Sequence, residues 1–128
     1  QYTTDAINKV MDSSFLDSYL RLSRLRHLAE RNDLEFENVG YLYPSANETN
    51  WDIAILGDIN KVVSSYDYIA LLLMHDIADG EILSERIKPD FNNFYCAFQS
   101  LEKYFPQVHK NPRIVFLVKQ YKPDCANF

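Results

Sequence analysis

Glycine and proline are scarce in this chain, with 3 and 5 in 128 residues. A turn-rich β-sandwich uses more of both, so that class is disfavoured. The three glycines stand at 40, 57 and 80, which leaves no phosphate-cradling loop, no dinucleotide fingerprint and no nucleophile elbow. Cysteine is equally thin. Cys96 and Cys125 have no zinc-knuckle spacing and make no disulfide framework, so a reducing compartment is the expectation. Cys96 lies among Phe94, Tyr95 and Phe98 and reads as packed core. No apolar run approaches the roughly 18–20 residues that span a bilayer. The longest, Ile69 to Met74, has six. Positive charge is in deficit, with 13 Lys and Arg against 18 Asp and Glu and a net charge of −5. That balance gives no support to direct nucleic-acid binding.

What is present fits one folded domain over 1–128, with 47% hydrophobic and 24% charged residues. Helical periodicity dominates. Thr3 and Thr4 are candidate caps for a short helix with Ala6, Ile7, Val10 and Met11 on one side. The "DSS" at 12–14 supplies fresh caps for a helix to about Arg31, either separate or continuous with the first through a kink. From Trp51 to Met74, Ile55, Ile59, Val62, Tyr66, Ile69 and Leu73 recur at spacings of 4, 3, 4, 3 and 4 behind a candidate cap at Asn50. Leu83, Ile87, Phe91, Phe94, Phe98, Leu101 and Phe105 repeat the pattern, with a kink expected near 85–88 ahead of Pro89. Asn111 and Pro112 open a last helix. Together these predict an all-α bundle of four or five helices, with antiparallel central helices near 51–75 and 81–105. Residues 32–50 form one long irregular connection, which is either functional or holds a short extra element.

The segment "LLLMHDIADGEIL", residues 71–83, resembles the His-Asp signature of HD-type metal-dependent phosphohydrolases. Such enzymes need a further His a few tens of residues upstream and a later Asp, because a divalent metal must keep several N and O ligands and an open position for water. Here residues 28–74 hold no histidine, and His27 is 48 residues before His75. His109 falls in a turn after Pro106. Asp79-Gly80 reads as a turn and cap, so the pair sits where a helix ends, with His75 favourable to the helix dipole. Neither a catalytic set nor a metal set nor a cofactor is predicted. "NET" at 47–49 is a glycosylation acceptor only on a eukaryotic secretory route.

Charge is unevenly spread. Glu30 to Asp58 contains seven acids and one base, and Lys103 to Lys122 five bases and no acid. Asp52, Asp58 and Asp67 share one helix and read as surface acids, Asp67 alternatively facing a partly buried polar site. Asp33, Glu35, Glu37, Glu48 and Asp52 are the candidate acidic docking surface. The apolar positions of the 81–105 helix cover a wider arc than one packed seam needs, so either this helix is central and buried on two sides, or, the favoured reading, Phe91 and Tyr95, with Tyr66 and Tyr68 next door, are the candidate interface of a symmetric homodimer.

The order "VVSSYDYIALLL", "HDIADGEIL", "DFNNFYCAF" within the stretch from about Val62 to Leu101 is similar to a bacterial family of small helical, often membrane-tethered proteins known only as a domain of unknown function. The two ends, "QYTTDAINKVMDSSFLDSYLRL" and "NPRIVFLVKQY", are placed as that family would place them. Asp67 stands where the family more often has Glu, and Ser64 where it more often has Asn. The resemblance implies a helical domain, a bacterial origin and an N-terminal anchor missing before Gln1, and no activity. The expectation is a cytoplasmic or anchor-tethered, non-enzymatic module that binds a protein partner or itself. The second reading is an acidic inhibitor or immunity-type protein for a toxin, nuclease or nucleic-acid-binding partner, and an HD-type hydrolase comes third. On the turn reading, His75→Ala and Asp76→Ala leave the fold standing. Metal analysis of purified protein should then find no stoichiometric iron, manganese or zinc.

Overall fold

The structure is a computed structural model that describes residues 2–106 and 111–127, so the expectation for His109 lies outside the described residues. Among them there are six α-helices and no strand: α1 (Tyr2–Met11), α2 (Ser13–Glu30), α3 (Phe36–Val39), α4 (Trp51–Met74), α5 (Gly80–Leu101) and α6 (Pro112–Tyr121). A 3₁₀ turn over Cys125–Asn127 follows. The sixth helix is α3, the short element inside the long connection. No helix among the described residues is long and apolar enough to cross a membrane.

Short polar side chains set most of the boundaries. The Asp12 carboxylate accepts from the N–H of Ser14 at 2.8 Å and of Phe15 at 3.4 Å, so α1 and α2 are two helices with a capped break between them. Asp79 accepts from the N–H groups of Glu81 and Ile82, both at 3.1 Å, and Asn111 from those of Arg113 and Ile114. Two expected caps act differently. Thr3 lies inside α1, and its hydroxyl accepts the Asp79 N–H at 2.9 Å, which ties α1 to the start of α5. Asn50 occupies the N-cap position of α4, but its side chain turns back to accept the Asn47 N–H at 2.7 Å.

The end of α4 answers the His-Asp question. His75 is the C-cap, and Asp76 follows in the left-handed region at φ 51°. The Ile77 N–H reaches the Leu72 carbonyl and the Asp76 N–H the Leu73 carbonyl, a Schellman closure that uses up the last carbonyls of the helix. Helix α5 then runs without interruption through Pro89.

The core is built around an aromatic group. Tyr66 on α4, fully buried, has Phe15, Phe91 and Phe94 at ring-centroid distances of 5.8, 5.1 and 5.3 Å. The two long helices α4 and α5 meet through these large rings, while α2 makes the close backbone approaches to both. Helix α6 packs on α4, and its Tyr121 covers Phe91 at 5.9 Å.

The reading of the cysteines is corrected. Cys96 is buried, as its neighbours suggested, but it is not a free thiol: it forms a disulfide with Cys125, 29 positions on in sequence, with Cα atoms 5.2 Å apart. The bond, with 28 residues between its cysteines, pins the segment after α6 to α5. Closing a loop of that length restricts the unfolded chain by about 3–4 kcal/mol. Reduction, or Cys125→Ser, is therefore expected to lower the unfolding free energy by about that amount, read from urea titrations with and without reductant.

Candidate functional site

Asp58 sits on the packed face of α4, three residues after Ile55 and four before Val62, and is almost fully buried. Its Oδ1 accepts from the Ser18 hydroxyl and from Arg21 Nη2, both at 2.8 Å. Its Oδ2 accepts from Arg21 Nε at 2.7 Å and from the Tyr43 hydroxyl at 2.6 Å. Four donors meet roughly four lone-pair positions, so the carboxylate is saturated. Its lone pairs are committed within the chain, with none left to hold a metal. Joining α2, the connection and α4, it is a structural centre, not the surface acid expected from sequence. The signal was available: Asp58 falls in register with Ile55 and Val62.

The surroundings respond to this arrangement. Burial, and then the hydrogen bond to Asp58, push the Tyr43 hydroxyl far above the ordinary tyrosine range. The bond to Asp58 likewise raises Arg21. The Arg21 guanidinium also lies over the Tyr43 ring at 5.7 Å.

Above this centre lies an open groove of about 430 Å³. Leu42, Pro44 and Ala46 from the connection and Ile53 and Ala54 from α4 supply its apolar lining, with Arg21 also contributing. Ile53 is 65% exposed, although an aliphatic side chain of that size gains by burial. Neither Ile53 nor Leu42 was singled out by periodicity, because the groove is shaped by the irregular connection.

The five candidate docking acids are all exposed. Asp33 lies 3.7 Å from Arg31. Glu35, Glu37, Glu48 and Asp52 have no side-chain ion pair or hydrogen bond among the described residues. Glu48 and Asp52 bracket Asn50, another groove residue, and Asp52 directly precedes Ile53.

The candidate homodimer interface is corrected at two of its four residues. Phe91 and Tyr66 are fully buried, because α2, α6 and the aromatic group occupy the extra arc that sequence assigned to a partner. Tyr95 and Tyr68 are half-buried. Tyr95 stacks on Phe91 and its hydroxyl accepts from Gln99, while Tyr68 lies under the Lys9 ammonium at 4.8 Å. Asp67, also half-buried, accepts from the Asn111 side chain at 3.3 Å. Among the described residues, no group of three or more His, Cys, Asp or Glu could hold a metal ion.

Asp58→Ala strips the acceptor from two hydroxyls and leaves Arg21 beside a void. The expected loss is about 3–5 kcal/mol in chemical denaturation. The same centre sets an alkaline limit. Tyr43 in the folded chain holds its proton above the ordinary value, so its contribution is complete below about pH 10 and is lost as pH rises through the raised value. Tyr66, Tyr19 and Tyr121 are also raised by burial and act with the same sign. Stability should fall progressively above about pH 10, and Tyr43→Phe should make that fall shallower in denaturation midpoints measured across the alkaline range.

No family model, no curated protein and no solved structure matches the chain.

Proposed function

We propose that this chain is a non-catalytic interaction domain that receives a segment of a protein partner in the groove above Asp58. The observation that carries the reading is Ile53, an aliphatic side chain left 65% exposed on the wall of a formed concavity. Exposed apolar surface set in a concave, polar-edged site is characteristic of recognition. The saturation of Asp58 supports the non-catalytic half of the reading, since the carboxylate nearest the groove is committed to four hydrogen bonds.

Self-association through this face is disfavoured. A two-fold contact would bring Glu48 and Asp52 toward their own copies, placing like charges together. A different protein is the better occupant. The four unpaired acids favour the acidic inhibitor as a second reading, in which charge steers a basic partner onto this face. The disulfide supports an oxidising compartment over the reducing cytoplasm expected from two sparse cysteines.

The test is capture with a photo-crosslinking residue at position 53, in extract of the native host with the disulfide intact. A discrete partner is expected, and Ile53→Glu in otherwise native protein should weaken its binding at least about tenfold, as for other central anchor residues. Because Ile53 is exposed, the variant should melt as the parent does. A partner whose binding ignores Ile53→Glu would place the interaction elsewhere. If the inhibitor reading holds, affinity should also fall steeply between low and high salt.

A further inference from the structure

We infer that the groove takes a cationic segment of the partner: an aliphatic side chain against Ile53, Lys or Arg beside it, and a main-chain carbonyl on the open edge of Arg21. The inference rests on the interaction reading above and deepens it. Three features of the site select this chemistry together. Most of the lining, from Leu42, Pro44, Ala46, Ile53 and Ala54, is aliphatic, and its one aromatic residue, Tyr43, is buried with the Arg21 guanidinium over its ring. It suits a branched aliphatic side chain.

Arg21 contributes the second feature. A guanidinium has five N–H donors in a fixed fork. Asp58 engages Nε and Nη2, the side chain remains 34% exposed, and Arg21 lines the groove. The other nitrogen, Nη1, can only donate, and in the partly exposed side chain it is open to an acceptor from solvent or from an occupant. Asp58 already balances the Arg21 charge, which makes a neutral carbonyl a better match than a carboxylate.

The third feature is charge. In the chain Glu48 comes two residues before the lining residue Asn50 and Asp52 directly before Ile53, both are exposed, and neither has an ion-pair partner among the described residues. A carboxylate on the occupant would be repelled there, while Lys or Arg would be drawn in. The acids at 33 and 58 are paired with Arg31 and Arg21, so Glu48 and Asp52 are among the unpaired negative charges of this region.

The experiment uses a random-peptide display library selected on the oxidised full chain, followed by titration of the best synthetic peptide. Selected sequences should carry Leu, Ile or Val with Lys or Arg within three residues. Binding should fall at least about tenfold in Ile53→Glu and about threefold or more in the Glu48→Gln, Asp52→Asn double variant. All three positions are exposed, and thermal melts of the variants verify that the fold is kept. Enrichment of acidic or neutral sequences, absence of any enriched sequence, or binding that ignores Ile53→Glu would each overturn the inference. The crosslinking capture at position 53 is scored separately. An Ile53-dependent partner found there, alongside a failed selection, leaves the interaction reading standing and removes only the cationic segment.

Discussion

The carboxylate of Asp58 joins three parts of the chain that lie far apart in sequence. Ser18 and Arg21 come from α2, Tyr43 from the connection, and Asp58 from α4. Removing a carboxylate from water costs several kcal/mol unless its lone pairs are satisfied, so the position of every donor is constrained at once. Tyr43 cannot drift without leaving a buried acceptor short. The connection is thereby held against α4, and the groove wall from Leu42 to Ala46 exists because Tyr43 is anchored in the middle of it. The aromatic core supplies most of the burial, but the carboxylate fixes where the irregular segment lies.

That division explains what could be read in advance. Helices α4 and α5 were legible because their apolar residues recur at helical spacing over more than five turns, and the starts of α5 and α6 because Asp79, and Asn111 with Pro112, have side chains suited to those positions. The all-α class follows from the same pattern. The His-Asp pair was legible as a helix end for a local reason: the Asp79-Gly80 turn follows within a few residues. Thr3 was misread, and Asn50 stands at the N-cap as expected but bonds elsewhere, because a short polar side chain can satisfy a distant or a preceding N–H as well as its own helix, and local sequence does not distinguish these.

The groove was much less visible. Its wall comes from a segment with no period, and its anchor is an ion pair between residues 37 apart in sequence. Periodicity reports which face of a helix is covered, not what covers it. Phe91 and Tyr66 show the same limit from the other side. Their broad apolar arc was read correctly as needing cover, but α2 and α6 of the same chain provide it, where a second copy was expected. The cysteines failed for a related reason. Their pairing depends on the short turn after α6 returning to α5, and the left-handed Lys122 with Pro123 behind it is the device that turns the chain.

The Cys96–Cys125 bond also changes what a break in the backbone would mean. A single cut at any peptide bond between these two residues leaves both pieces in one covalent molecule. Helix α6 would stay beside its docking site at high effective concentration, with Tyr121 still positioned to cover Phe91. A nicked chain could thus migrate as intact on a non-reducing gel and separate into two bands only after a reductant is added. A cut in the first four helices, outside the segment the disulfide closes, would leave no covalent link between the two pieces.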